Sequence, residues 1–290
     1  MKFCNMLSFI ENEQLIDSAV FSEEVGFDSI SVSDHIVLPE VIDSWYPDTP
    51  DGKPFFTATT DWTFPEPWVT LAMMAQATSR VQLMQSIYIL AARHPIEVAK
   101  ATGTLSVLSG NRLALCCAVG WMKEEFDVVG ADFHTRGKRT DEMIEVMQKL
   151  WPGETVEHHG EFFDFAPLRI APMPGRQVPI YAGGYSQAAM RRSARLDGFL
   201  SAGNKPEEVP GVIAELNEMR RELGRDHLPF ETIFPLTTPY SLDDFKRVQD
   251  AGADGIMAHP PKFTIGTHST IDQKKAEMER FAENFIRHMT

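Results

Sequence analysis

Four stretches of this 290-residue chain carry side chains suited to chemistry. Asp34-His35 closes an apolar run, Ser29 to Ser33. An imidazole there can give or take a proton near neutral pH, or it can simply bond a neighbouring backbone group and cap the strand. Gly183-Gly184-Tyr185-Ser186 joins another apolar run to a helical pattern. Two glycines let backbone N–H groups approach an anion, and Ser186 is of the type that caps a helix and donates to a phosphate. A tight capped turn is the plainer reading of the same residues. Val119-Gly120-Trp121 sets a residue without a side chain beside a large flat one. That pairing permits close approach to a planar ring, or it is a packed aromatic. Finally, residues 38–65 are rich in Pro, Asp and Thr and carry Trp45, Phe55, Phe56 and Trp62. A loop of that length with that many rings reads as a lid or wall on the substrate side.

The elements around these stretches repeat in one order. Strands are expected at Lys2–Leu7, Ser29–Ser33, Val81–Ile89, Arg112–Val119, Pro179–Ala182, Gly198–Ser201, Glu231–Leu236 and Gly255–Ala258. Helical patterns lie between them, among them Glu11–Val25, Pro67–Ala77, a segment opened by Pro95, Gln187–Arg195 and Ile271–His288. Eight strand–helix units is the number that closes an α/β (β/α)8 TIM barrel, expected here as one domain over 1–290. Insertions of about 38–65 and 151–178 follow strands two and four, which puts both at the rim where such barrels do chemistry. All four chemical stretches fall at that rim or directly after a strand.

Composition narrows the function classes. Lys and Arg number 27 against 41 Asp and Glu, a net charge of −14. This argues against nucleic acid or an anionic membrane as partner, since both need a basic surface. No run approaches the length of a membrane span, and the start Met1-Lys2-Phe3-Cys4-Asn5 reads as a strand without a signal-peptide pattern. A cytoplasmic protein acting on a small molecule is expected. Cys4, Cys116 and Cys117 read as reduced core thiols, and no Cys or His spacing suits a metal. His158-His159 is expected to be solvated, and His259 to lie at the rim within reach of a substrate.

A string of motifs adds a resemblance. Arg93-His94-Pro95, Ala99-Lys100, Leu105 to Arg112, Val119-Gly120-Trp121 with Glu124-Glu125, and Gly130 occur in an order that resembles the luciferase-like flavin and deazaflavin oxidoreductases. The resemblance implies a luciferase-like barrel that moves a hydride between a bound deazaflavin, coenzyme F420, and a small organic substrate. It implies that His35 lies by the cofactor, and Ser33-Asp34-His35 is similar to the deazaflavin branch, where flavin-using relatives more often show Glu-His. It implies a non-prolyl cis bond between Ser86 and Ile87 behind the ring, and cofactor phosphate on Gly183, Gly184, Tyr185 and Ser186. Asp34, Val119 and Gly120 would complete the cofactor side, with Trp45, Phe55, Phe56, Trp62 and Trp121 on the substrate side. Glu125 would pair with Arg136, and relatives suggest a homodimer. The alternatives are an FMN-dependent monooxygenase using reduced flavin and oxygen, and a non-catalytic flavin-binding barrel. One departure stands out: sugar-phosphate dehydrogenases of the family carry a glutamate where this chain has Trp121.

Overall fold

The computed structural model describes residues 1–184, 186–238, 240–266 and 268–289. Nine parallel strand segments make eight barrel staves: β1 (Lys2–Met6), β2 (Ser29–Val32), β3 (Gln82–Gln85) with β4 (Tyr88–Ile89), β5 (Leu115–Ala118), then, after a two-stranded excursion, β8 (Ile180–Gly183), β9 (Gly198–Leu200), β10 (Glu231–Pro235) and β11 (Gly255–Ala258). Strand β1 pairs with both β2 and β11, so the last stave lies against the first. The expected strand Val81–Ile89 is one stave in two pieces. Its first piece, β3, pairs with β2, and its second, β4, pairs with β5. The Leu83 N–H donates to the Arg112 carbonyl at 2.9 Å and the Leu83 carbonyl accepts from Ala114 at 3.0 Å, which closes the ring. The peptide bond between the pieces, Ser86–Ile87, is cis, as the resemblance implies.

The inside of the ring is packed. Cys4, Met84, Ala114, Cys116, Tyr181, Leu200, Ile233 and Met257 come from seven staves and form one buried cluster, which only inward-pointing side chains can do. Cys117 falls in the cluster facing the helices, so Cys116 and Cys117 part to opposite faces as strand alternation requires. Burial pushes the Cys4 thiol up to about 11 and that of Cys117 to about 12, which leaves them as small apolar side chains.

The helices that position the site are α1 (Leu15–Val25), α2 (Pro67–Ala77), α3 (Pro95–Leu108), α4 (Lys123–Val129), α5 (Arg136–Leu150) and α6 (Gln187–Ser193). Pro67 and Pro95 each open a helix where a missing N–H costs nothing. Residues 38–65 have no regular structure. The second excursion does contain some: β6 (Val156–His159) and β7 (Asp164–Leu168) form an antiparallel hairpin. A single carboxylate on α5, Glu142, accepts the backbone N–H groups of Glu161, Phe162 and Phe163. It also meets His158 Nε2 at 3.2 Å, while Lys149 Nζ lies 3.1 Å from Nδ1. The expectation of a solvated His158 is therefore corrected: the strand turns it inward onto α5 and leaves its neighbour His159 in solvent. No helix among the described residues is long and apolar enough to cross a membrane.

Candidate active site

His35 leaves the end of β2 and is held from across the rim. Its Nδ1 lies 3.2 Å from Glu125 Oε2, and the other carboxylate oxygen accepts the N–H of Ile36. Glu125 sits on the first turn of α4 with its side chain fully buried, and the His35 side chain is only 8% exposed. A carboxylate can only accept, so Nδ1 carries a proton towards Glu125 and Nε2 is the ring nitrogen left for other chemistry. Nothing among the described residues occupies Nε2. This corrects the expected Glu125–Arg136 pair. Arg136 instead donates from Nε to the Gly120 carbonyl at 3.1 Å and from Nη1 to Phe133 at 2.8 Å, with its guanidinium over the Phe133 ring. Arg136 opens α5, near enough along the chain to pair with Glu125, but α4 turns Glu125 inward to the end of β2.

The preceding residue works differently. Asp34 takes both guanidinium arms of Arg93, at 2.7 and 2.8 Å, and accepts the Ile89 N–H at 2.8 Å. Arg93 also donates to the Ile89 carbonyl and lies over the Tyr88 ring, whose hydroxyl accepts from Trp68 Nε1. Burial pushes the Asp34 carboxyl above its usual range, with the Arg93 charge pulling against it. Both Asp34 oxygens are thus used to tie β2 to β4, and a cofactor contact from Asp34 would have to come from its backbone.

Ser86 Oγ lies 3.1 Å from Ser31 Oγ, at the end of the barrel interior. Ile87 reaches the end of β8: a Cβ added to Gly183 would meet Ile87 Cδ1 at 2.5 Å and the Leu200 carbonyl at 2.4 Å. Ser86–Ile87 and Gly183 are therefore neighbours, although 96 residues separate Ile87 from Gly183 in sequence. Gly184 has φ +132°, a conformation open to glycine, and turns the chain into α6. Ser186 caps that helix by accepting the Ala189 N–H at 3.2 Å. Tyr185 lies outside the described residues. Val119 is half-buried after β5. Beside Gly120, at φ +87°, a Cβ would strike Phe126 at 2.8 Å and Ile89 at 2.9 Å. Gly120 thus seats α4 tightly on the third stave.

Rings close over His35. Phe64, Phe56 and Trp121 stand 4.8, 5.3 and 5.9 Å from the imidazole, centre to centre. Tyr46 packs on Trp121 at 4.9 Å, and Phe9 reaches Phe55 and Trp62, both at 5.2 Å. Phe56 is buried, Trp62 half-buried against His268, and Phe55 half-exposed. Trp45 goes elsewhere. It is 65% exposed and its indole fills the space beside Gly52, away from His35. Phe9 and Phe64 escaped sequence reading, and Tyr46 was visible only as one more ring of the 38–65 loop. Phe9 had a signal, since it too directly follows a barrel strand. The strap 38–65 is latched on α4: Glu124 Oε1 accepts the Asp43 and Ser44 N–H groups at 2.8 and 3.0 Å, and Ser44 Oγ accepts the Lys123 N–H at 2.9 Å. Burial works to raise the Glu124 carboxyl, but these donors outweigh it and hold it below its ordinary range.

His259 follows β11 at the same rim, but it is enclosed, with neither ring nitrogen bonded. Burial, reinforced by the Lys262 and Lys274 charges, pushes it down to about 3. It is a buried neutral imidazole and makes no open surface for a substrate. A cavity of about 480 Å3 does open in the barrel, lined by Lys2, Tyr181, Glu231 and Asp254. It lies at the N-terminal mouth, opposite His35, so the chemistry of the rim argues against it as the reaction site.

Comparison with known proteins bears on the family and the fold. A family model described as luciferase-like monooxygenase matches residues 10–286. An uncharacterised protein of Mycobacterium tuberculosis is 35% identical over 273 residues, 93% of this chain and 94% of its own length. An F420-dependent glucose-6-phosphate dehydrogenase of Microbacterium testaceum is 26% identical, covering 94% of this chain and 79% of that protein. Among solved structures, a monooxygenase, RslO1, from Streptomyces bottropensis superposes with a TM-score of 0.75 at 18% identity over the whole of both chains.

Proposed function

Because the chain belongs to the luciferase-like monooxygenase family, we propose that it is an oxidoreductase that uses coenzyme F420 and a small organic substrate at the rim above His35. The residues fit such a group. Gly183 and Gly184 bring bare backbone to the rim, Ser186 has a hydroxyl beside the first free amides of α6, and Ser86–Ile87 lies directly next to them. When bound, a deazaflavin supplies the hydride chemistry. The chain supplies the rest. Gly183, Gly184 and Ser186 would hold the phosphate, with Tyr185 expected beside them, and Ser86 and Ile87 would back the ring. His35 Nε2 takes the hydroxyl proton of an alcohol, or returns it to a carbonyl in the other direction. Glu125 fixes the imidazole so that Nε2, not Nδ1, faces the reaction. The rings of the strap keep water away, which strengthens each polar contact inside.

The observation that carries this reading is the Glu125–His35 pair with Nε2 left open. The F420-dependent relative and the Ser33-Asp34-His35 motif support the deazaflavin over FMN. The likeness to RslO1, at 18% identity, carries the fold alone. Fluorescence titration of the purified protein with F420 and with FMN tests it. Tight F420 and weak FMN binding is expected. The reverse moves the enzyme to the FMN-dependent monooxygenases, and binding of neither supports the non-catalytic barrel. Gly184→Asp should abolish coenzyme binding, whereas His35→Ala should keep it and lose turnover.

A further inference from the structure

We propose that the substrate side of this site takes an uncharged, ring-bearing alcohol or ketone and excludes sugar phosphates and other ions. The inference rests on the oxidoreductase reading above and adds the substrate class to it. Its basis is what surrounds the open Nε2 of His35. Phe56, Phe64 and Trp121 stand against the imidazole, and Phe9, Tyr46 and Trp62 form the next layer. Ring faces are electron-rich, so a phosphate or carboxylate placed among them needs a cation to replace its water. None is supplied. Among the described residues, the Lys and Arg side chains that stack on rings stack on Tyr88, Phe133, Phe163, Phe230 and Phe21, none of which belongs to this group. Arg93 is committed to Asp34, and Arg136 to the Gly120 and Phe133 carbonyls.

A cationic substrate would find ring faces attractive, but it would also need a carboxylate once desolvated. Two of the acids bordering the rings are used on both oxygens, Asp34 by Arg93 and Glu125 by His35 and Ile36, and Glu124 gives Oε1 to the strap backbone while its Oε2 is buried out of solvent and unbonded. What the wall can offer is apolar area and edge-to-face contacts, with one proton acceptor at the centre. A ring next to a carbinol or carbonyl carbon uses both. In the oxidising direction the carbinol C–H bond breaks and its hydride, with both electrons, passes to the deazaflavin. The O–H proton goes to His35 Nε2, and the C=O bond forms.

The test is calorimetric titration of 1-phenylethanol, glucose 6-phosphate and choline into the protein, without coenzyme and saturated with F420. Saturable binding of 1-phenylethanol, at least tenfold tighter than the other two in either state, is the expected result. Phe64→Ala should weaken it tenfold or more, and Phe64→Leu, which keeps apolar bulk but no ring, should weaken it less. Glucose 6-phosphate or choline binding as tightly as 1-phenylethanol overturns the inference. So does 1-phenylethanol binding that Phe64→Ala leaves unchanged, and so does its failure to bind in both states. F420 binding is read on the same samples from the coenzyme's own fluorescence. If F420 fails to bind, the function proposed above falls, and the titrations without coenzyme decide the substrate class on their own.

Discussion

His259→Leu is the perturbation whose size follows most directly from the structure. The imidazole is buried, bonds nothing through either nitrogen, and titrates at about 3. In the unfolded chain a histidine titrates near 6.5. The folded value is the lower one, so below 6.5 the unfolded chain binds a proton that the folded protein refuses, and stability falls as pH drops towards 3. At pH 5.0 this one group costs about 2 kcal/mol relative to pH 7.5, from the unfolded-state proton alone. Leucine has similar volume and no proton to take up. Urea denaturation of both proteins at pH 7.5 and 5.0 should show the wild type losing about 2 kcal/mol more than the variant. Every other group contributes equally to both, so the difference isolates His259. At pH 7.5 the variant should match or exceed the wild type, since it removes two unpaired polar atoms from the interior. Equal losses on acidification would refute the reasoning and mean that His259 is solvated.

Asp34→Asn should cost about 3–5 kcal/mol in urea denaturation, because it strands Arg93 as a mostly buried charge. Asp34→Leu combined with Arg93→Met should recover most of that loss, and additive costs would show that the two do not act as a pair. Glu124→Ala removes the acceptor for two strap amides, so limited proteolysis within 38–65 should quicken by about tenfold or more, as the open population rises. Gly120→Ala should destabilise by about 1–3 kcal/mol through its positive φ and the approach to Phe126 and Ile89. Gly211→Ala, which meets nothing within 4 Å, is the control and should change stability little.

The barrel was legible because its staves are short apolar runs buried on both faces, and that pattern survives without any knowledge of contacts. Ser29–Val32 and Gly255–Ala258 were read almost residue for residue for this reason. The hairpin Val156–Leu168 was not. It is largely exposed, with only a few side chains packed on the core, and much of what holds it is the Glu142 carboxylate taking three backbone amides, a bond pattern with no trace in local sequence. His35 could be picked out by its place after a strand, but its partner could not. Arg136 was the partner expected for Glu125 along the chain, and only the packing of α4 decides that Glu125 faces the end of β2 instead. Rings in the strap were visible as a group. That Phe56 turns in while Trp45 turns out was not: Trp45 packs beside Gly52 and the adjacent Asp43-Ser44 is latched by Glu124, about 80 residues on in sequence, and neither contact shows in the order of residues.

The pairing of β1 with β11 has a consequence in time. Lys2 lies opposite Gly255, so the first stave made is completed by the last. At ordinary rates of synthesis roughly 10–50 s pass between the two. During that interval β2 can cover one side of Lys2–Met6, and the other side has unpaired backbone N–H and C=O groups facing the cell. An edge left open for that long can pair wrongly, so the yield of folded protein should respond to the rate of translation and to chaperone supply, which expression at two temperatures with and without added chaperone measures.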